Sequence, residues 1–314
     1  MFNTSTKKST VNYIYNAYLS NSLYIDGELY GVGELTEEDA NEVESEPRFI
    51  LSVSNKMPKI LVFDIETAPF IAYAYSRFKQ YFGDANVQQE GYVLCWAAKW
   101  LGEENVITDA IWNHHEVVNE GDDYEVCKSL HELFDQADIV IAHNGNSFDI
   151  PTMNTRFLYH RLAPNKPYKK IDTLSILKRN FNLPSNKLSS AAIYFGLPNK
   201  MDPGGFYTWR GCMNGDVESQ THMMDYNIQD VITLESLYLL LRPWHNTHPN
   251  VSLYYDDKTN RCPCCGSQDI YTSLDDVVTA AVTQYPMVIC NSCGKVSKHA
   301  GKLNNIKGII RNHP

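Results

Sequence analysis

Short apolar runs and helical spacings follow one another through the middle of the chain, and this pattern predicts a layered α/β fold. Apolar runs that end in polar residues are typical of buried strands, and they occur in KILVFDI from Lys59, GYVLCWAAKWL, NVITDAIW and DIVIAH. The residues GEE between the second and third runs predict a hairpin turn. The segment DDYEVCKSLHELFDQA predicts a helix, because its apolar residues have helical spacing: Val126, Leu130, Leu133, Phe134 and Ala137.

The segments that follow predict alternating helices and one more strand. DIPTMNTRFLYHRL has Asp149 near its start and Pro151 in its first turn, where proline is tolerated. YKKIDTLSILKRN predicts a strand that leads into a helix, KLSSAAIYFGL a short helix that ends at Gly196, and VESQTHMMDYNIQDVITLESLYLLLRPW a long helix closed by Pro243. Three opening strands and the later alternation predict a mixed sheet flanked by helices.

The length of 314 residues allows about two domains. We predict an N-terminal extension of unknown role at residues 1–57, a core domain at 58–245 and a C-terminal module at 251–314. In the extension, GELTEEDANEVESEPRF predicts a short acidic helix with Thr36 as its N-cap, followed by the linker SVSNKMP. No apolar run approaches the roughly 18 residues of a membrane span, and the polar N-terminus predicts no secretory signal.

Two identical Cys-x-x-Cys-Gly pairs stand out in the C-terminal module, formed by Cys262, Cys265, Cys290 and Cys293. Thiolates at this spacing form a closed tetrahedral Zn²⁺ site, usually structural, and the glycines permit the tight turns. With DIYTSL and YPMVIC as strands, the module resembles a small zinc ribbon. Cys264, inside the first pair, is either a spare thiol, which we favour, or a ligand in place of a neighbouring cysteine. The cysteine usage suits a reducing compartment, so we expect a cytoplasmic protein.

The net charge of −10 is unusual for a protein that binds nucleic acid. Residues 251–314 nevertheless carry seven basic and five acidic side chains, a net charge of +2, while residues 1–57 carry four basic and nine acidic ones, a net charge of −5. The distribution predicts weak global steering, with substrate binding concentrated at bound metals and at the C-terminal end.

Four carboxylates in three motifs carry the candidate chemistry. Asp64 and Glu66 lie two apart on a strand and therefore face the same side. Asp149 follows a strand and a polar turn, and Tyr226 and Asp230 share one helix face at i and i+4. Four convergent carboxylates hold a pair of divalent metals, which is what hydrolysis of a phosphodiester requires. Each motif alone has a structural alternative: a strand-end pair, a helix cap or a buried tyrosine.

Together the motifs FDIET, HNGNSFD and YNIQD resemble the DEDD superfamily of 3′–5′ exonucleases, the DnaQ-like proofreading family with a ribonuclease-H-like fold. Asp225 stands where a histidine-type member carries its histidine, and Tyr226 matches the tyrosine (DEDDy) type, as in the exonuclease domain of family B DNA polymerases. IDTLSILKR and KLSSAAIYFGL also look like that group. The resemblance covers about residues 58–245 and includes no polymerase motif. The chain is similar to free-standing exonucleases of tailed bacteriophages, which would act in the host cytoplasm.

The resemblance implies a role for each matching residue. Asp64, Glu66 and Asp230 would hold the Mg²⁺ or Mn²⁺ ion that activates water, and Asp64 would bridge to a second ion that Asp149 holds. Tyr226 would position the attacking water. The residues implied in substrate binding are Thr67, Asn144, Asn146 and Phe148.

Two roles are open at two of the neighbouring positions. Phe148 either stacks on a base or fills the core. Asp172 either caps the TLSILKR helix, which we favour, or lines the site.

The expected substrate is DNA, single-stranded or with a frayed 3′ end, in replication, proofreading or recombination. A DNA polymerase or another replication protein is the expected partner, and no membrane is involved. An RNA exonuclease of the same fold is an alternative, because contacts to a 2′-OH are not visible in a sequence. A non-catalytic module that binds nucleic acid or protein is a second alternative, which the intact set of carboxylates disfavours.

Overall fold

The computed structural model describes residues 22–25, 28–31, 57–76, 78, 80–198, 202, 204–257, 259–280 and 283–301. It divides into two compact units, Met1–Ser54 and Asn55–Pro314. In the first unit, β1 (Ser22–Ile25) and β2 (Glu28–Gly31) form an antiparallel pair. The acidic helix predicted to begin at Thr36 lies outside the described residues.

The predicted mixed sheet is confirmed in the second unit. The strands of the main sheet are β3 (Ile60–Thr67), β6 (Val93–Trp100), β7 (Val106–Ala110), β8 (Ile139–Ala142) and β9 (Lys169–Asp172). Two short strands, β4 (Ile71–Ala72) and β5 (Val87–Gln89), lie outside it. The main sheet has the order β7-β6-β3-β8-β9. β6 runs antiparallel to both β3 and β7, whereas β8 is parallel to β3 and β9 is parallel to β8. The short β4 and β5 pair separately, and the apolar pattern did not predict them.

Helices cover both faces of this sheet: α1 (Tyr124–Gln136), α2 (Asp149–Tyr159), α3 (Thr173–Asn180), α4 (Leu188–Phe195), α5 (Phe206–Met213) and α6 (Val217–Leu241). Five of the six match the predicted helices, and α5 was missed. Short 3₁₀ turns lie at Asp84–Asn86, Ile111–Asn113, Val118–Glu120, Arg242–Trp244 and Val251–Tyr254. Within the described part of the chain, none of the helices is both long and apolar enough to cross a membrane.

The central strand β3 divides the apolar core into two layers, because its side chains alternate between the faces of the sheet. Leu61, Phe63 and Ile65 pack with residues of α1 and α2. Ile60 and Val62 pack with residues of α3, α4 and α6. This alternation also sets the direction of the polar residues near the end of β3, since Asp64 and Glu66 fall on the same side as Val62.

A three-stranded antiparallel sheet follows at the C-terminal end, formed by β10 (Ile270–Ala280), β11 (Thr283–Cys290) and β12 (Val296–Lys298). Both strands predicted around the cysteine pairs are found. The Lys295 ammonium group donates to the carbonyls of Pro243 (3.0 Å) and His245 (3.2 Å), just beyond the end of α6. The Cys264 thiol donates to the carbonyl of Arg242. The ribbon therefore packs directly on the end of α6, and the domain boundary at residue 251 stays a prediction.

A buried ion-pair network joins β6 to α2 through Asp123, which is fully buried. Its carboxylate accepts from the Val93 amide (2.8 Å), from Arg156 Nε (2.8 Å) and from His160 Nε2 (2.6 Å). Burial alone would raise the pKa of Asp123, but the hydrogen bonds from Arg156 and Val93 hold it below its ordinary value. Cys127 completes a cluster with metal-ligand spacing. Arg156 already supplies the positive charge there, so the network serves structure.

Replacement of Asp123 by alanine should destabilise the protein strongly, because it leaves the Arg156 guanidinium buried without its partner. We expect a loss of about 3–5 kcal/mol in the free energy of unfolding, measured as a lower urea midpoint. Glu132→Ala is the matched control, since this exposed carboxylate lies on α1 and its loss should change stability by about 0.5 kcal/mol or less. Equal midpoints for the two variants would contradict a structural role for the network.

Candidate active site

The candidate site lies at the end of the central strand β3. Asp64 pairs across the sheet with Ala97, and Glu66 pairs with Cys95. The register then shifts between Glu66 and Thr67, which still pairs with Val93, so an irregularity in the pairing follows directly on the second carboxylate. Both side chains face the layer that contains α6.

The loop after β8 brings Asp149 to the same place. Asn144 adopts a left-handed conformation (φ 68°), and a side chain at Gly145 would collide with the Cβ atom of Ala142 at 2.5 Å. This tight turn places Asp149 at the first position of α2, where it is 2% exposed. The backbone amide of Ile65 donates to its carboxylate. A main-chain bond thus holds Asp149 beside the strand that carries Asp64.

Helix α6 contributes the fourth carboxylate and two polar side chains. Tyr226 donates its hydroxyl hydrogen bond to Asp230, four residues later on the same face. Asn227 Nδ2 donates to Asp64 Oδ2 at 2.7 Å. The side chain of Asn227 is fully buried, and its Oδ1 atom has no hydrogen-bond partner. Helix α6 therefore both completes the acidic cluster and anchors the carboxylate of β3.

The missed helix α5 also reaches the site. Trp209, in the middle of α5, donates a side-chain hydrogen bond to Glu66. This bond opposes the rise in the pKa of the Glu66 carboxyl that burial causes. Its sequence FYTWRGCM gives a weak helical signal because it contains aromatic residues and a glycine, which have low helix propensity. Neither Trp209 nor Asn227 was expected as a site residue. Only the position of Asn227, next to Tyr226 and one helical turn before Asp230, could have suggested a role.

The carboxyl groups strongly oppose one another's ionisation. Burial, followed by repulsion from Asp149, Glu66 and Asp230, raises the pKa of Asp64 well above its ordinary value. Burial and repulsion from Asp230 raise the pKa of Glu66 to about 8. Mainly through burial, the pKa of Asp149 rises to about 7 and that of Asp230 to about 6. Burial and the neighbouring Asp230 also raise the pKa of the Tyr226 hydroxyl.

This donor set fits divalent cations. The four side chains offer carboxylate oxygens, which are the ligands that Mg²⁺ and Mn²⁺ prefer. Burial and other carboxylates, not Lys or Arg, dominate the pKa shifts of this group. A buried cluster of like charges without positive side chains is costly when ionised. Bound cations would remove that cost.

The other predicted site residues are Asp172 and the four side chains expected to bind substrate. Asp172 is a helix cap, as favoured: its carboxylate accepts from the amides of Leu174 (3.0 Å) and Ser175 (3.3 Å) at the start of α3. It also accepts from the amides of Asn144 (3.0 Å) and Asn146 (3.3 Å), so it shapes the loop before Asp149. We infer that Asp172 acts through this loop.

The side chains expected to bind substrate adjoin the carboxylates in the sequence: Thr67 follows Glu66, and the other three precede Asp149. Phe148 is 43% exposed and does not fill the core. Asn146 is exposed, and Asn144 and Thr67 are partly exposed. All four are therefore accessible beside the carboxylates, and their contacts with a substrate stay a prediction.

The four predicted cysteines form a second, separate group in the ribbon. Their sulfur atoms lie within 4.8 Å of one another, with 3.7 Å between Cys262 and Cys293 and 3.6 Å between Cys265 and Cys290. A tetrahedral ion with Zn–S bonds of about 2.3 Å separates its sulfurs by about 3.8 Å. The cluster is therefore compatible with a zinc site. Cys264 is outside it, as expected.

The two cysteine turns have the same backbone geometry. Gly266 and Gly294 both have φ 76°, and their amides donate to the carbonyls of Cys262 and Cys290 at 2.9 Å each. Glycine is the residue that adopts this left-handed conformation without strain. The repeated turn gives each cysteine pair the same presentation.

Comparisons with known proteins place the nuclease-like core in a family. The family model RNase_H_2, described as RNase_H superfamily, matches residues 61–242, more than half of the chain. The chain belongs to the RNase_H superfamily. Membership supports nuclease activity and nucleic-acid binding in general, and nucleases of this superfamily use divalent metals.

One solved structure and a search of curated proteins add to this comparison. The chain is similar to a family B DNA polymerase from the hyperthermophilic archaeon Pyrobaculum calidifontis, with 16% sequence identity and a TM-score of 0.43. The match covers 59% of this chain and 25% of the polymerase, so the chain spans about a quarter of that protein. The search of curated proteins found no match.

In this RNase_H-superfamily domain, the raised pKa values predict a linkage between pH, cations and stability. A carboxyl group with a raised pKa keeps its proton in the folded protein after the unfolded chain has lost it. Its stabilising contribution is complete below the ordinary value and is lost as the pH rises through the folded value. Without added Mg²⁺, the melting temperature should therefore fall between pH 5 and pH 8, and Mg²⁺ should raise it more at pH 8.

Thermal unfolding of the zinc-loaded protein with and without Mg²⁺ measures this effect. Glu66→Gln should flatten the pH dependence, because Glu66 has a pKa of about 8. Glu132→Gln, on the exposed face of α1, should leave it unchanged. Parallel pH curves for the parent protein and Glu66→Gln would show that the Glu66 carboxyl is not linked to folding.

Proposed function

We propose that this protein is a tyrosine-type (DEDDy) 3′–5′ exonuclease that hydrolyses the terminal phosphodiester bond of DNA. The observation that carries the proposal is the convergence of Asp64, Glu66, Asp149 and Asp230, joined by a tyrosine hydrogen-bonded to the last of them. Membership of the RNase_H superfamily supports a nuclease. The tyrosine and the spacing of the motifs support the 3′–5′ exonuclease class.

The residues present fit two Mg²⁺ or Mn²⁺ ions. Asp64, Glu66 and Asp230 would hold one ion, and Asp64 and Asp149 would hold the other. When bound, such a pair lowers the pKa of water and stabilises the attacking and leaving oxygens of the displacement. Repulsion among the clustered carboxylates favours the binding of these cations.

The chain's own residues orient the reacting groups. The Tyr226 hydroxyl is hydrogen-bonded to Asp230, and its proposed role is to position the attacking water. Asn227 and Trp209 donate hydrogen bonds to Asp64 and Glu66, which orients the two carboxylates that would hold the cations. Supporting bonds of this kind are worth about 10- to 100-fold in metal affinity or activity.

The four-cysteine cluster is proposed to hold one structural Zn²⁺. Four thiolates close the tetrahedral shell, which suits a structural ion. The ribbon packs on the end of α6 through Lys295 and Cys264, and we infer that it stabilises this end of the nuclease domain. Contact with DNA or with a partner protein is its second proposed role, since residues 251–314 have a net charge of +2.

The proposed setting is replication, proofreading or recombination, with a DNA polymerase or another replication protein as partner. The proposed origin is a bacteriophage genome, with the enzyme acting in the host cytoplasm. RNA is the alternative substrate, because the same carboxylates serve both sugars. A non-catalytic binding module is disfavoured, since it has no need for four buried carboxylates that repel one another.

Replacement of Asp230 by asparagine should abolish hydrolysis while leaving the fold intact. We expect the rate to fall by at least about 10²-fold, the scale on which a single preorganised electrostatic group contributes. The assay uses 5′-labelled single-stranded DNA, duplex DNA with a mismatched 3′ end and RNA, each with Mg²⁺ or Mn²⁺. A ladder that shortens from the 3′ end gives the direction, and the relative rates give the preferred sugar and strand.

Asp225→Asn is the matched control for this experiment. It removes the same charge from the same helix at an exposed position five residues earlier. This variant should keep the parent rate. If Asp230→Asn digested any of the three substrates as fast as Asp225→Asn, the assignment of the active site would be wrong.

The zinc assignment predicts different results for two cysteines of the same turn. Cys265→Ser should lose the bound ion and lower the melting temperature, because it removes one of four thiolate ligands. Cys264→Ser should retain about one zinc per chain, since its sulfur contacts Arg242 instead. Elemental analysis of the purified variants measures the zinc content. If both variants retained about one zinc per chain, Cys265 would not be a ligand.

A further inference from the structure

An exposed aromatic segment follows directly on β3 at residues 69–83. Its sequence PFIAYAYSRFKQYFG contains six aromatic residues. Four of them are almost fully accessible, namely Tyr73 (70%), Tyr75 (103%), Phe78 (84%) and Tyr81 (96%). Large apolar side chains at this level of exposure contribute little to folding. Four exposed rings within the nine residues 73–81 are available to contact a ligand.

The base of this segment is well ordered by pairing and packing. β4 pairs with β5, and the Tyr73 amide donates to the Asn86 carbonyl at 2.9 Å. Phe70 and Phe82 pack edge to face, with ring centroids 5.4 Å apart. These two rings serve the base of the segment, whereas the four exposed rings lie between them in the sequence.

The segment is close to the candidate active site along the chain. Tyr73 is seven residues beyond Glu66, which limits the distance between their Cα atoms to about 25 Å for an extended chain. A strand whose 3′ end lies at the carboxylates can therefore reach the aromatic segment within a few nucleotides.

The chemistry of the segment suits a single strand better than a protein surface. The exposed rings are separated along the chain by small or polar residues such as Ala74, Ser76 and Gln80, a pattern that favours rings presented singly. Separate aromatic faces are what successive unpaired bases stack on, regardless of sequence. Arg77 and Lys79 add two positive charges, and the segment contains no acidic residue.

This placement also answers the difficulty raised by the acidic net charge. Proteins that bind nucleic acid through many phosphate contacts are basic and lose affinity steeply with salt. A chain with a net charge of −10 needs another source of affinity. Stacking on aromatic rings supplies it without a large basic surface.

We propose that Tyr73, Tyr75, Phe78 and Tyr81 form a stacking surface for the unpaired bases upstream of the 3′ end. The inference rests on the proposed exonuclease function and names its substrate as a single strand of several nucleotides. The segment sets affinity for the strand, while the carboxylates carry out the reaction.

The test compares a long and a minimal substrate in one variant, with all four aromatic residues replaced by alanine. The long substrate is a 20-residue oligothymidylate, and the minimal one is the p-nitrophenyl ester of thymidine 5′-phosphate, which has no upstream bases. We expect KM for the oligonucleotide to rise at least tenfold with kcat within twofold, since each lost stacking contact weakens binding by about fivefold or more. Hydrolysis of the ester should be unchanged.

Tyr159→Ala is the matched control, because Tyr159 is an equally exposed aromatic at the far end of α2. It should change neither substrate's kinetics. Tyr75→Ala and Tyr81→Ala, each alone, should raise KM for the oligonucleotide by smaller steps and guard against a folding defect in the fourfold variant.

The outcomes separate the inference from the function on which it rests. If the parent protein hydrolyses both substrates and the aromatic variants keep its KM for the oligonucleotide, the stacking surface is wrong. Binding of a protein to the segment would not change that conclusion. If the parent hydrolyses neither substrate with Mg²⁺ or Mn²⁺, the proposed function itself fails.

Discussion

Mutual repulsion among four clustered carboxyl groups, one buried and three partly buried, is the constraint around which the nuclease-like core is built. Burial raises the cost of ionising each group, and every neighbour raises it further. The fold offsets part of this cost with neutral donors, one for each carboxylate, from the side chains of Asn227, Trp209 and Tyr226 and the backbone amide of Ile65. Because these donors come from a strand and two helices, the orientation of the carboxylates depends on the packing of the whole domain.

The two candidate metal sites illustrate opposite solutions to ion binding. The carboxylate site is built from distant segments, keeps its oxygens oriented through neutral donors and stands beside accessible residues such as Phe148. The cysteine site comes from two local turns with the same glycine conformation, and its four sulfurs would complete a tetrahedral shell around an ion. Oxygen ligands with room for a substrate suit chemistry, whereas a closed thiolate shell suits the stabilisation of a small sheet with little core of its own.

Much of this architecture could be predicted from the sequence because its signals are local. The apolar runs predicted the strands of the main sheet, and the cysteine spacing predicted the ribbon. The contacts of Trp209 could not be predicted, because α5 has weak helix propensity and gains its structure from tertiary packing. The same holds for Asn227, whose bond to Asp64 spans 163 positions. The open question at Phe148 concerned exposure, which depends on how the turn at Gly145 directs the chain.

Helix α6 fixes the distance between the two ends of the molecule's functional core. Eleven residues separate Asp230 from Leu241, the last residue of the helix, and at 1.5 Å per residue this is about 17 Å. The ribbon contacts the chain immediately beyond that end, through Lys295 and Cys264. These contacts attach the ribbon directly to the end of the helix, and not only through a linker. A ligand that contacts both the ribbon and the carboxylates must therefore span at least roughly this length, because the helix fixes it.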